Sequence, residues 1–322
     1  MTERDIPSGQ AAALPAAGFF LLAGLGLFWG LNWPGMKIVL AELPVWWFRA
    51  MSVSAGAVGL LAINYFSTGN IRLKRSEIGP LLLCALFNVV GWHLFTGYGV
   101  SLMPAGRAAI IAFTMPVWAA LLGALVLGEP MTRYKYAGLA LGVAGLAVLI
   151  GPDLAVLRAA PLGALFMLGA ALSWAVGTVV FKKHAWTAPV ASIAGWQLLL
   201  GALVIIPGAM LLEPFPDLTS LSGRAIGALA YLFIGPMVLC QWAFFSVVRM
   251  FPAAIAAIGT LAVPVVGVYS SALILGEPVG WQEFAAMSLI CGALASVLVL
   301  PALQKARNGR SRQAAARRAR EE

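Results

Sequence analysis

Charge is what this sequence has least of. Asp, Glu, Lys and Arg make up 10% of its 322 residues, whereas a soluble globular protein carries about 25%. With 61% hydrophobic residues, so few charges cannot clothe a folded surface in water. An ordinary soluble domain is excluded. Two histidines are too few for a His-rich metal site, and no HExxH helix is present. No metal and no cofactor is expected. There is no Walker A loop to cradle ATP phosphates, which argues against direct ATP drive. There is no G-x-S-x-G nucleophile setting, and no cluster of acids or Ser/His pair that an intramembrane enzyme acting on lipid-linked substrates would need. The chain is read as a non-enzyme. Its three cysteines, Cys84, Cys240 and Cys291, all fall in apolar stretches, where they serve as small packing residues rather than a disulfide framework.

What is present is hydrophobic length. Ten stretches longer than 16 residues are free of Asp, Glu, Lys and Arg: 6–36, 50–71, 78–106, 108–128, 136–152, 159–181, 185–212, 225–248, 250–276 and 284–304. A helix crosses the hydrocarbon core in about 20 apolar residues. The runs are continuous rather than alternating, which excludes a β-barrel. The expectation is an all-α integral membrane protein with ten transmembrane helices. The small-residue stretch 11–17 precedes the first apolar run, the wrong side for a signal-peptide cleavage site, so that run is expected to be retained.

The net charge of +9 does not indicate a nucleic-acid partner. Seven of the 21 basic residues lie in the tail 305–322, and the rest are scattered over short connections. With the N-terminus in the cytoplasm, 16 basic residues fall inside and 5 outside (Lys37, Arg49, Arg107, Arg158 and Arg224). The positive-inside rule then sets both termini in the cytoplasm. Membrane lipid is the expected surrounding, with the tail free to touch anionic headgroups.

The string Leu-Gly-Glu-Pro occurs twice, at 127–130 and 275–278. Sliding the chain on itself by 148 brings 104–150 onto 252–298 with 17 of 47 positions identical, including Pro104/Pro252 and Pro116/Pro264. Bias toward Ala, Leu, Gly and Val alone gives roughly a quarter of that match. Upstream an offset of 145 pairs Trp29 with Trp174, Lys37 with Lys182 and Pro44 with Pro189. The domain reading is a cytoplasmic segment 1–16, repeat 1 over 17–151, repeat 2 over 160–300 and a basic cytoplasmic tail 303–322. Each repeat holds five helices, an odd number, so the second copy enters the membrane from the opposite side. Such inverted-topology repeats recur in secondary transporters, where a central cavity between the copies opens alternately to either side.

The ordered set of Trp29-Gly30 in helix 1, Pro44-x-x-x-Phe48-Arg49 opening helix 2, and the Pro116 and Gly-Glu-Pro patterns repeated in helices 9 and 10 resembles the drug/metabolite transporter superfamily in its ten-helix EamA form. The aromatic-rich middle helices are most similar to the YddG-type exporters of aromatic and other amino acids. The resemblance implies a secondary transporter exporting small metabolites, amino acids with an aromatic or neutral preference, across the bacterial inner (plasma) membrane by alternating access. Its partner is then a small-molecule substrate, and a monomer suffices. The alternative is a passive facilitator or channel for small organic solutes, because no embedded carboxylate is seen to carry protons. The second copy departs from the first at Arg49, which faces Ala194, and at Arg107, which faces Ile255.

Embedded polar groups cost free energy unless paired or facing a cavity. No Asp, Glu, Lys or Arg falls near the middle of an expected span, so the cavity is expected to be neutral and aromatic. His93 and Gln241 occupy equivalent positions in helices 3 and 8 under the 148 offset. Each either contacts substrate or makes an interhelical hydrogen bond, and His93 has the chemistry to carry a proton. Trp29 and Trp174 sit well inside helices 1 and 6, where an indole needs an N–H partner or a ligand to stack on. In the resemblance, aromatic residues from helices 1, 3, 6 and 8 line the cavity, which Trp92, Tyr98 and Trp242 match. Asn32, Asn88, Thr96 and Thr178 are smaller polar candidates for a zwitterion. Arg107 either attracts a carboxylate or pairs with an outer acid. Pro116 and Pro264, inside helices 4 and 9, each remove a backbone hydrogen bond and mark kinks. In each Leu-Gly-Glu-Pro the Gly ends one helix and the Pro starts the next, and Glu129 and Glu277 are expected to cap the helix that follows.

Overall fold

The computed structural model describes residues 16–68, 71–155, 161–241, 243–244, 253–304 and 307. Among these residues there is no strand. The helical segments are α1 (Ala16–Leu40), α2 (Val45–Thr68), α3 (Arg75–Leu102), α4 (Ala105–Leu127), α5 (Arg133–Ala155), α6 (Pro161–Lys183), α7 (Val190–Leu212), α8 (Gly223–Leu239), α9 (Ala253–Leu275) and α10 (Trp281–Gln304). Among the described residues seven of them, α2 to α7 and α10, are long and apolar enough to cross a membrane by length and composition. Gly223–Leu239 and Leu261–Leu275 are shorter apolar helices. Helix is the form such segments must take in lipid, because it satisfies every backbone N–H and C=O internally. Their outward faces stay apolar: Phe20, Leu211 and Leu273 are 79%, 83% and 86% exposed. Rings and aliphatic side chains left so bare suit hydrocarbon, not water.

The helices pair in a two-fold pattern. α2 packs on α7 and α5 on α10; α1 on α9 is matched by α6 on α4, and α3 on α6 by α8 on α1. The two equivalent pairs in contact, α2 with α7 and α5 with α10, run antiparallel. At one end Glu213, just after α7, accepts hydrogen bonds from the Trp46 and Trp47 amides at the start of α2 (3.0 and 3.3 Å). Further along, Gly195 near the start of α7 lies against Leu61 near the end of α2. Gly138 against Val297 and Gly145 against Ile290 give α5 and α10 the same antiparallel sense.

Two junctions outside the helix bodies repeat with their chemistry exchanged. In the α1–α2 turn, Glu42 accepts hydrogen bonds from the Ser222 amide (2.8 Å) and hydroxyl at the start of α8. In the α6–α7 turn, Thr187 donates its amide (2.6 Å) and hydroxyl (3.0 Å) to Glu77 in the first turn of α3. The carboxylate sits in the turn in one copy and on the helix in the other.

Both Leu-Gly-Glu-Pro glycines end their helices in the left-handed region, Gly128 at φ 66° and Gly276 at φ 70°, a conformation cheap only without a Cβ. The glutamates do not cap the helices that follow them. Glu277 reaches the other repeat and accepts the Ala105 and Gly106 amides at the start of α4 (2.7 and 2.9 Å). The reason is packing: α9 lies along α4, so the turn after α9 abuts four N–H groups that α4 cannot satisfy itself. α10 is capped instead by Glu283, which accepts the Gly280 amide (2.8 Å). Glu129 pairs with Lys135 (2.9 Å) and Lys182 (3.3 Å). The Lys135 hydrogen bond and the Lys182 charge hold its carboxyl below its ordinary pKa.

The two helix prolines behave differently. α4 is interrupted by a turn at Phe113–Thr114, and Pro116 sits in the first turn of the continuing segment Met115–Leu127. There a missing N–H costs nothing, so the break in α4 falls just ahead of Pro116. Pro264 lies within the continuous helix Ala253–Leu275. The wider turns fall elsewhere. π-helical segments interrupt α3 at Ala85–Gly91, α8 at Gly235–Leu239 and α10 at Ala295–Val299.

Candidate functional site

The site is organised around a residue that charge counting set outside the membrane. Pro44 starts α2 at Val45, which places Arg49 inside the helix rather than before it. The Arg49 side chain is buried, 1% exposed. Its Nη2 donates to Thr96 Oγ1 (2.8 Å) and to Met36 Sδ (3.1 Å), and its Nη1 lies 3.5 Å from His93 Nδ1. Facing a permanent cation, Nδ1 is the acceptor, so the His93 proton is assigned to Nε2. Thr96 turns its own hydroxyl proton to the Trp92 carbonyl (2.7 Å), leaving a lone pair for Arg49. α2 thus carries a buried guanidinium among neutral partners, near its N-terminal end rather than at its middle.

Asn32 joins the same network through Met36, whose sulfur also receives the Asn32 amide at 3.7 Å. α1, α2 and α3 thus bring Asn32, His93 and Thr96 together around Arg49. Two buried atoms of this network have no hydrogen-bond partner, Arg49 Nε and Asn32 Oδ1. One is a donor and the other an acceptor. Among the described residues no carboxylate pairs with Arg49.

The aromatic candidates divide. Trp92, one residue before His93, meets Trp174 of α6 with ring centroids 5.0 Å apart. Trp29 packs on Phe244 at 5.6 Å. Tyr98 belongs to a separate group, its hydroxyl accepting from Trp46 Nε1 (2.9 Å) and its ring stacking on Phe166 at 5.2 Å. Thr178 donates to the Trp174 carbonyl of its own helix (2.9 Å). Gln241 is half-buried just past the π segment of α8. Trp242 lies outside the described residues. Arg107 pairs with Glu283 at 2.6 Å, the second of the two roles its position allowed.

Two features escaped the sequence reading. Arg49 and Met36 form the centre of the cluster, and the signal for Arg49 was Pro44, which fixes where α2 starts. The π segments of α3 and α8 end just before His93 and Gln241. Such wide turns recur at functional sites because they release backbone groups and re-aim side chains.

Helices with bare apolar faces, paired two-fold around buried polar clusters, define a helical membrane protein built from a duplicated unit. The EamA-like transporter family matches residues 16–151 and again residues 161–299, and the chain belongs to that family. It is therefore a transporter-family protein and not an enzyme. It is similar to the uncharacterized transporter YvbV of Bacillus subtilis, 30% identical over 89% of this chain and 93% of that protein. It is also similar to a probable amino-acid metabolite efflux pump of Salmonella typhimurium, 27% identical over 85% of this chain and 92% of the relative. One solved crystal structure has the same fold, with a TM-score of 0.61, 21% identity and coverage of 87% of this chain and 96% of that one.

Proposed function

We propose that the protein exports amino acids with an aromatic or neutral preference across the bacterial inner membrane, its two five-helix copies alternating about a central cavity with both termini cytoplasmic. The observation that carries this reading is the antiparallel packing of equivalent helices, α2 on α7 and α5 on α10. If each inverted copy has two shapes, exchanging those shapes between the copies gives two states of similar energy that open to opposite sides. The efflux function in the name of the Salmonella relative supports the substrate class. So does the pairing of an aromatic surface, Trp92 on Trp174, with a cluster of mixed donors and acceptors one turn away.

In this reading Asn32, Trp92, His93, Thr96 and Trp174 face the substrate. Trp29 of the first copy and Gln241 and Trp242 of the second complete the set, and Tyr98 and Thr178 form the walls. The facilitator alternative is favoured by one observation: no carboxylate joins the Arg49 cluster among the described residues, so a proton route through an acid is missing there. Purified protein in liposomes, loaded with labelled phenylalanine, distinguishes these readings. Export predicts saturable flux with counterflow against unlabelled phenylalanine. Flux that never saturates favours a channel, saturable flux that only runs down its own gradient favours a passive facilitator, and no flux for any amino acid sinks the substrate class.

A further inference from the structure

We propose that Arg49 and Asn32 together form a receptor for an α-amino carboxylate, with the guanidinium holding the carboxylate and the Asn32 carbonyl oxygen taking the ammonium. The inference rests on the amino-acid reading above and deepens it.

A cation removed from water is expensive unless a counter-charge and a full set of hydrogen bonds meet it. Arg49 is 1% exposed, and guanidinium is charged at every accessible pH. Its acceptors here are a hydroxyl, a thioether and an imidazole nitrogen, all neutral. Three such acceptors cannot saturate five N–H donors, and Nε is left bare. A carboxylate supplies what is missing: negative charge and two oxygens in the fork geometry that guanidinium matches. Within the same hydrogen-bonded set, Asn32 Oδ1 is a buried acceptor with no donor. An ammonium is a cluster of donors and no acceptors. A free carboxylate satisfies only the first vacancy and an amine only the second, whereas a zwitterion satisfies both.

The second copy does not reproduce the arrangement. The position equivalent to Arg49 is Ala194, and that equivalent to Asn32 is Gly177. A purely architectural role shared by both copies would put like residues at both places. The one-sided placement fits an asymmetric ligand held by one copy while the other moves around it. The Thr96 hydroxyl and His93 imidazole, beside the substrate, also orient the guanidinium.

The test uses detergent-solubilised full-length protein and three probes that differ only at the head group: phenylalanine, phenylalaninamide and 3-phenylpropanoate. Binding is read by ligand-induced shift in melting temperature and by competition against labelled phenylalanine. In the wild type, phenylalanine should bind about tenfold or more tighter than either analogue, the loss expected when a charge-assisted hydrogen bond goes unmade. Arg49→Gln should erase the preference over phenylalaninamide, Arg49→Lys should restore part of it, and Asn32→Leu should erase the preference over 3-phenylpropanoate. Equal wild-type binding of phenylalanine and phenylalaninamide overturns the proposal even if no variant folds. A folded Arg49→Gln variant that keeps the wild-type ratio also overturns it, and leaves the transport reading standing. Arg49-dependent binding of 3-phenylpropanoate with no binding of any amino acid overturns the proposal, because nothing then takes the ammonium, and defeats the amino-acid reading with it. Failure to bind any carboxylate overturns the site itself.

Discussion

Gly30→Val is expected to be among the most destabilising single substitutions in the protein. Gly30 lies in α1 where that helix crosses α9, and a Cβ there would overlap Val266 Cβ and Cγ1 and stand 3.2 Å from the Gly267 amide nitrogen. The obstacle is the root of a β-branched side chain and the backbone next to it, which cannot swing aside as the tip of a long side chain can. Relief requires α1 to move off α9. That would lift Trp33, 3% exposed, from its seat on Gly267. Overpacking a tight core costs about 1–3 kcal/mol, and a valine adds two methyls beyond the offending Cβ. The expected result is a large fall in monodisperse yield from detergent and a lower melting temperature, with Gly30→Ala intermediate. Wild-type melting of Gly30→Val would mean that the two helices do not approach so closely.

Glu277→Gln should cost far more than the equivalent Glu129→Gln, although both residues stand in the same four-residue string. Glu277 offers one oxygen to each of two helix N-terminal amides (2.7 and 2.9 Å). An amide in its place keeps one acceptor and turns a donor toward an N–H, so one bond is lost and a repulsion replaces it. The carboxylate also loses its favourable position at the positive end of α4. Lys37 secures the other half of this corner, its Nζ donating to the Val100, Ser101 and Met103 carbonyls (2.8, 3.0 and 3.1 Å) at the end of α3. Loss of a hydrogen bond to a charged group costs about 1.5–3 kcal/mol. Glu129 is 31% exposed and pairs with lysines, and exposed pairs are worth about 0–1 kcal/mol. Thermal melts of the two variants check this directly. Equal losses would contradict the assignment of Glu277 as the cap of α4.

The sequence carried the helical architecture because its signals are local. A run of apolar residues without charge needs no knowledge of the rest of the chain to read as helix in lipid. The glycines of Leu-Gly-Glu-Pro were legible for the same reason: each ends its own helix, and the positive φ of Gly128 and Gly276 follows from the turn alone. The glutamates beside them were not, because the partner of Glu277 lies 172 residues away at Ala105. No periodicity announces a cap donated by another repeat. Arg49 was misplaced by a counting rule that treats every arginine as the end of an apolar run. Pro44 already fixed the helix start ahead of it. Pro116 was legible as an interruption because a proline removes a backbone hydrogen bond, and α4 is broken at Phe113–Thr114 just ahead of it. The cluster of Asn32, His93 and Thr96 was legible as a set of polar residues, but its centre was not, since a methionine sulfur and a lone arginine near a helix start carry no motif.

Inversion of the second five-helix copy relative to the first is tested most directly by which side of the membrane the two Leu-Gly-Glu-Pro turns face. Thr132 and Gly280 are equivalent exposed positions just beyond these turns. Each is replaced singly by cysteine in a background lacking Cys84, Cys240 and Cys291, and intact cells are treated with a membrane-impermeant maleimide. The account predicts labelling of Gly280→Cys from outside, and of Thr132→Cys only after the membrane is permeabilised. Labelling of both from the same side would contradict it.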